Sequence, residues 1–219
     1  MSKLTLVIGN KNYSSWSLRP WIYMKNNGIK FTESRIALYM KNTPKLLEPY
    51  FSGFKVPVLI DDSLVIWDSV AILEFLAEKY PDYNGWPNNS NARAVARSVS
   101  AEMHSSFSAL RNELPMNCRK RFNNFNLSSK VLDDIDRIRK IWRYCKKNYG
   151  RKGPWLFGEF CIADAMFAPV TIRFKGYSVP LEGIERDYVQ TMINNSFMIE
   201  WIEAGKQEKE IIEIAEANI

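Results

Sequence analysis

Histidine is almost missing from this sequence: His104 is the one histidine in 219 residues. Cysteine is scarce too, with Cys118, Cys145 and Cys161 widely spaced and no C-x-x-C pair. Neither a disulfide framework nor a zinc site is indicated, and a metal centre built from imidazoles is disfavoured. No stretch approaches the roughly 18 uninterrupted apolar residues of a membrane span. The opening "MSKLTLVIGN" is too short an apolar run for a signal peptide. A block of like charge is also missing. The 30 basic and 24 acidic residues are interleaved, as in "LDDIDRIRKIWRYCKK", so the net charge of +6 reads as a solvated surface rather than a nucleic-acid footprint. There is no internal repeat and no low-complexity tract. The expectation is a soluble, cytoplasmic protein with no metal, no membrane and no nucleic-acid partner.

What is present is an ordinary globular composition, 46% hydrophobic and 25% charged, long enough for one large or two modest domains. The first eighty residues read as mixed α/β. "LTLVIG" is a short buried strand. Leu18, Trp21 and Ile22 follow helical spacing, with Gly28 ending that element. "FTESRIAL" suits a second strand, and "VPVLIDDSLVIW" a hairpin turned by Asp-Asp-Ser. "SVAILEFLAEKYP" is a helix with Ser69 as its expected N-cap and Pro81 after its end. Strand, helix, strand, a less regular segment, hairpin, helix is the order of a thioredoxin-like domain.

"PDYNGWPNNSN" is rich in Pro, Gly and Asn and reads as a linker. Beyond it strand signals nearly vanish. Helices are expected at about 91–112, 129–149, 162–175 and 188–204. The predicted fold class is therefore α/β followed by all-α. A thioredoxin-like domain occupies residues 1–81, a linker 82–90 and an all-helical domain 91–219.

The chemistry concentrates in "YSSWSLRPW". In a thioredoxin-like domain the loop after the first strand carries redox cysteines. Here it carries Ser14-Ser15-Trp16-Ser17, with serine where C-x-x-C has cysteine, so dithiol exchange is excluded there. Pro20 fits only the first helical turn, which puts the N-cap near Trp16 or Ser17, with Ser14 and Ser15 just outside. Serine hydroxyls beside a helix N-terminus can donate to another molecule's thiolate. A free thiol has a pKa of about 8.5, and lowering it by about 2 units takes roughly 2.7 kcal/mol. A charge-assisted hydrogen bond plus a helix terminus is of that order. The plainer reading is that the serines only cap the helix.

Two further features line up with the first. In "KVPVL", a cis Val56–Pro57 bond would expose the Val56 backbone to a peptide. In "WDSVAILEFL", Ser69 and the first N–H groups of its helix can receive a carboxylate, while Asp68 can meet an ammonium. A ligand with a thiol, a peptide backbone and an amino-acid-like end would touch all three.

Over nearly its whole length the chain resembles the cytosolic glutathione S-transferases. "SSWSLR" is similar to the zeta-class signature S-S-C-S-x-R of the maleylacetoacetate isomerase-related group. "KVPVL" resembles the family's cis-proline motif and "DSVAILEFL" its E/Q-S glutathione motif. "FGEFCIADAMFAP" resembles the capping element of the second domain. "AEMHSSFSALRNELPMNCR" and "NYSSWSLRPW" point to a bacterial group of such enzymes.

The resemblance implies that Ser14 activates the glutathione sulfur, with Ser15 second and Tyr13 third. It implies that Val56, beside Pro57, pairs with the cysteinyl backbone and that Asp68 and Ser69 hold the γ-glutamyl end. Lys55 then approaches the glycyl carboxylate. Trp16, Met103, His104, Phe107 and Arg111 are the candidate pocket for a hydrophobic electrophile, with His104, Phe107 and Arg111 near one helical face. A core or dimer-interface role for Met103 and Phe107 competes with that reading.

Trp16 stands where zeta enzymes have cysteine, which counts against maleylacetoacetate isomerisation. Cys161 replaces the capping Ser/Thr and is expected to be structural. A homodimer, glutathione as co-substrate and a detoxification role follow from the resemblance. The competing readings are a non-enzymatic binding or regulatory protein on the same fold, akin to the bacterial stringent-starvation type, and a glutathione-dependent isomerase or peroxidase.

Overall fold

The computed structural model describes residues 3–122 and 125–216. Residues 1–2 and 217–219, the two ends of the expected division into domains, lie outside the described residues. The stretch "LTLVI" forms strand β1 (Leu4–Ile8), which shares a sheet with β2 (Thr32–Arg35), β3 (Val58–Asp61) and β4 (Leu64–Trp67). The sheet order is β2-β1-β3-β4. β1 runs parallel to β2 and antiparallel to β3, and β3 pairs antiparallel with β4. A parallel neighbour needs a crossover, and α1 (Ser15–Asn26) supplies it between β1 and β2.

Successive side chains of a strand face opposite ways. Leu4, Leu6 and Ile8 accordingly join the main core, while Val7 joins a smaller cluster with Ile36, Leu47 and Val58 beneath the short helix α2 (Thr43–Leu47). The predicted hairpin is present, with Asp62 in the left-handed region at its turn.

After α3 (Ser69–Lys79) the described chain is helical: α4 (Ser90–Ser105), α5 (Ser108–Glu113), α6 (Ser129–Asn148), α7 (Ile162–Gly176), α8 (Gly183–Ile193) and α9 (Ser196–Gln207). The α/β-then-all-α order is thus the observed one. α7 is buried along almost its whole length and packs on both α1 and α4, which ties the sheet half to the helical half. Its N-terminus is a capping box in which the buried Asp164 accepts from the Cys161 N–H at 3.1 Å and from the Leu156 N–H at 3.1 Å. All three cysteines are free and buried.

Four details differ from the sequence expectations. The helix expected over 91–112 is broken at Ser106–Phe107, where Phe107 takes φ 64°. The helix expected over 188–204 is two, because the Asn195 side chain caps α9 by accepting from the N–H groups of Phe197 and Met198. The N-cap of α3 is Asp68, whose carboxylate accepts from Val70 and Ala71, and Ser69 is the first helical residue. The N-cap of α1 is Ser14, not Trp16 or Ser17, so Pro20 lies inside the helix. Its missing N–H leaves one intrahelical bond unmade, a cost that the buried packing of α1 outweighs. Among the described residues no helix is long and apolar enough to cross a membrane.

Candidate active site

The loop from β1 to α1 is wound tightly by its own backbone. The N–H groups of Tyr13 and Ser14 donate to the Asn10 carbonyl at 3.1 and 2.8 Å. Gly9 lets Leu38 pack closely, since a Cβ there would meet Leu38 Cδ1 at 2.5 Å and push that side chain aside. The Gly9 N–H donates to Ser17 Oγ at 3.1 Å. Ser14 Oγ donates to Ser17 Oγ at 2.8 Å and accepts from the Ser17 N–H at 3.3 Å. Ser15, the first residue of α1, has a different partner: Arg173 Nη2, on α7, donates to its Oγ at 3.3 Å.

Tyr13, the third candidate, is occupied elsewhere. Its hydroxyl donates to Glu216 and accepts from Arg119. Burial, reinforced by the Glu216 bond, raises its pKa.

Val56–Pro57 is cis, and the Val56 backbone has no hydrogen-bond partner among the described residues. Lys55 is exposed on the same rim. Ser69 is 1% exposed, and its Oγ has no partner among the described residues.

These groups face one cleft of about 1670 Å³, walled by Ser14, Ser15, Trp16, Val56, Asp68 and Ser69 on the sheet side. A typical single-ligand pocket is about 300–1,000 Å³, so the space suits two ligands side by side.

On the helical side the cleft meets His104, Arg111 and Arg173. Two guanidiniums approach the Trp16 ring, Arg19 at 4.2 Å and Arg111 at 4.7 Å from its centre, with the His104 ring edge-on at 5.3 Å. The break at Phe107 puts Arg111 on α5, where it donates back to the carbonyls of Ser106 and Met103 at the end of α4. His104 and Arg111 therefore reach the cleft from two helices, not from one helical face. Met103 and Phe107 are 2% and 4% exposed in the main core and do not line the cleft. Their large apolar side chains fill the space between α4 and its neighbours instead.

Charge balance here is unusual. Arg19, Arg111 and Arg173 gather against two nearby carboxylates, Asp68 acting on Arg19 and Asp134 on Arg111. Burial, then repulsion from Arg111 and Arg173, holds the Arg19 pKa well below the usual guanidinium range. Burial and Arg111 bring Arg173 down to about 9. Burial, with Arg19 and Arg111 adding to it against Asp68, lowers His104.

Sequence reading missed Arg173, and the one available signal was a guanidinium inside the apolar run "ADAMFAPVTIRF". It also missed the tail that closes one end of the cleft with Ile212 and Ile214. That tail is anchored by Glu208, whose carboxylate accepts from the N–H groups of Lys11 and Asn12 at 2.7 and 3.1 Å. Among the described residues no cluster of His, Cys, Asp and Glu is arranged to hold a metal ion.

Residues 13–79 match the model of the glutathione S-transferase N-terminal domain. A probable maleylacetoacetate isomerase of Caenorhabditis elegans is 31% identical over 45% of this chain and 45% of its own length. Dichloromethane dehalogenase of Methylophilus leisingeri is 33% identical over 29% of the chain and 25% of its own length. Glutathione S-transferase 1 of Dianthus caryophyllus is 28% identical over 52% of each. The chain thus spans about half or less of the length of these curated relatives.

Among solved structures, a glutathione transferase homolog from Burkholderia with bound glutathione superposes with a TM-score of 0.69 at 21% identity, over 95% of this chain and 100% of that one. An epsilon-class enzyme from the housefly Musca domestica gives 0.71 at 20% identity, over 93% and 94%. Residues 13–79 thus resemble the N-terminal domain of glutathione S-transferases, and over nearly its whole length the chain has the fold of these solved structures.

Proposed function

We propose that the chain is a glutathione transferase whose cleft binds glutathione along the sheet edge and a hydrophobic electrophile against the helices. The observation that carries this reading is the buried, unpartnered Ser69 hydroxyl at the N-terminus of α3, opening on the same cleft as Ser14, Ser15 and the unpaired Val56 backbone. A buried hydroxyl without a partner costs free energy unless a ligand supplies one. The α3 N-terminus supplies a positive dipole end for the γ-glutamyl carboxylate. Asp68 meets the ammonium, Val56 pairs with the cysteinyl backbone, and Lys55 stands at the glycyl end.

A serine hydroxyl at the start of α1 then faces the sulfur. On binding, the thiol proton passes to water and the hydroxyl donates to the thiolate. The thiolate attacks an electrophilic carbon: an S–C bond forms, and the carbon–leaving-group bond breaks with its electron pair. Catalysis lies in holding a thiolate at neutral pH beside an oriented electrophile. Trp16, His104 and Arg111 form the electrophile's wall, and the guanidiniums suit charge that develops on it. The cytoplasm is the compartment that holds the co-substrate, and a homodimer is the expected assembly.

Calorimetric titration with glutathione, followed by thioether formation with an activated aryl halide, tests the reading. Binding with turnover supports it. Binding without turnover on any electrophile favours a non-enzymatic protein of the same fold. No binding at millimolar glutathione overturns it. Trp16 in place of a thiol disfavours cis–trans isomerisation, which a cis-enone substrate would test directly.

A further inference from the structure

Two serines reach the sulfur side of this cleft, and their hydrogen-bond inventories differ. A serine hydroxyl has one hydrogen to donate and two lone pairs. Ser14 Oγ accepts the Ser17 N–H as the N-cap of α1 and shares a hydroxyl–hydroxyl hydrogen bond with Ser17 Oγ at 2.8 Å, so both its contacts are to the helix it caps. Ser15 Oγ accepts from Arg173 Nη2 at 3.3 Å, and its own hydrogen has no acceptor among the described residues. It is 6% exposed and lines the cleft, as Arg173 does.

We propose that Ser15 is the residue that donates to the sulfur of bound glutathione, with Arg173 as a positioning residue that orients and polarises its hydroxyl. Arg173 is fixed for that task. It comes from the buried helix α7, is 6% exposed itself, and its Nη1 donates to the carbonyls of Leu114 and Arg111 at the end of α5. Those are peptide carbonyls, not carboxylates, so the guanidinium keeps its positive field. With one lone pair held by a cation, the hydroxyl directs its hydrogen away from Arg173 and becomes a stronger donor to an anion.

The other charged or titratable groups around the cleft are Tyr13 before α1, Arg19 on α1, Tyr39, Glu48 and Lys55 on the segment between β2 and β3, Asp68 at α3, His104 on α4 and Arg111 on α5. Tyr13 is held by Glu216 and Arg119, and none of the others is hydrogen-bonded to Ser15.

This assignment rests on the glutathione reading of the cleft. The experiment is the ultraviolet absorbance of bound glutathione thiolate against pH, for the wild type and for Ser14→Ala, Ser15→Ala, Arg173→Gln, Arg173→Lys and the double variant Ser15→Ala/Arg173→Gln. Ser15→Ala and Arg173→Gln should each raise the apparent thiol pKa by about 1 unit. The double variant should rise no further than Ser15→Ala, because Arg173 acts through that hydroxyl. Arg173→Lys should keep part of the wild-type shift. Turnover at pH 6.5 should fall about tenfold in Ser15→Ala and in Arg173→Gln, with the deficit closing above pH 9.

A merely structural Arg173–Ser15 tie would lower the melting temperature without moving the titration. Overturning results are a larger pKa rise in Ser14→Ala than in Ser15→Ala, or an unmoved titration in Arg173→Gln that still binds glutathione. Absence of glutathione binding by the wild type overturns the site reading and this assignment with it. Ser15→Ala is mild enough to keep the comparison decisive should Arg173→Gln not fold.

Discussion

His104 Nε2, on α4, stands 3.3 Å from Oδ2 of Asp68, the residue that caps α3 with its other oxygen. One carboxylate thus joins a helix of the helical half to the start of the last helix of the sheet half. Burial and the neighbouring guanidiniums outweigh that carboxylate and lower the His104 pKa, so the imidazole is neutral at pH 7. The unfolded chain takes up the proton more readily than the native one. Stability linked to His104 is therefore complete above the ordinary histidine pKa of about 6.5 and is lost as pH falls through the lower folded value. His104→Gln should melt with a flatter dependence on pH between 7.5 and 5.5 than the wild type. Parallel curves would remove His104 as the cause.

Ser69→Ala separates binding from stability. The hydroxyl is buried without a partner, so its removal should leave the melting temperature of the ligand-free protein unchanged or slightly raised. Glutathione affinity should fall by about 10- to 150-fold, the equivalent of roughly 1.5–3 kcal/mol for one hydrogen bond to a charged group. Calorimetry reads both outcomes. An unchanged Kd would show that the ligand's carboxylate does not sit on α3.

Trp16 offers its ring to two guanidiniums that repel each other, Arg19 and Arg111, and its loss would remove both contacts. Trp16→Ala should destabilise by about 1–3 kcal/mol in urea unfolding, from the lost cation–π contacts and packing. Trp16→Phe should recover most of it. A loss in the alanine variant no larger than about 0.5 kcal/mol, the scatter of surface substitutions, would show that the ring is only a cleft surface.

Asp164→Ala leaves the buried N–H groups of Leu156 and Cys161 without their acceptor. The cost should be about 2–5 kcal/mol, among the larger single-site effects. The native carboxyl is pushed up to about 6 by burial, against its backbone donors. The native state therefore holds that proton more tightly than the unfolded chain. Its linked stability is greatest below the unfolded pKa of about 3.9 and declines as pH rises through about 6. Denaturant midpoints between pH 4 and 6.5 should show that decline in the wild type and not in the alanine variant.

The parts of this protein that could be read from its sequence are those whose signal is local. The β-branched runs around Asp62 dictate a hairpin wherever they occur, and the apolar spacing of "SVAILEFL" dictates a helix. The three cleft segments were legible because each carries its own chemistry: adjacent serines, a proline before a strand, and an acid-serine pair opening a helix. What stayed hidden depends on partners far along the chain. Nothing near Ser14 says that it will be spent on Ser17, and nothing near Ser15 names Arg173. The left-handed residue at Phe107 is set by packing, since phenylalanine has no preference for that conformation. The tail after α9 has no periodicity at all. Its place is fixed by carboxylates that find Lys11, Asn12, Arg35 and Lys120 at great separation.

That last separation sets an order of events. Glu208 meets Lys11 across 197 residues, and Glu216 meets Tyr13 across 203. Closing so long a loop cannot precede the folding of what lies between, because the entropy must be repaid by intervening structure. The sheet and the serines at the start of α1 lie early in the chain, whereas the wall that Ile212 and Ile214 add depends on contacts made back across nearly its whole length. Without that segment the cleft would keep Ser14, Ser15, Asp68 and Ser69 and lose the side that Ile212 and Ile214 line.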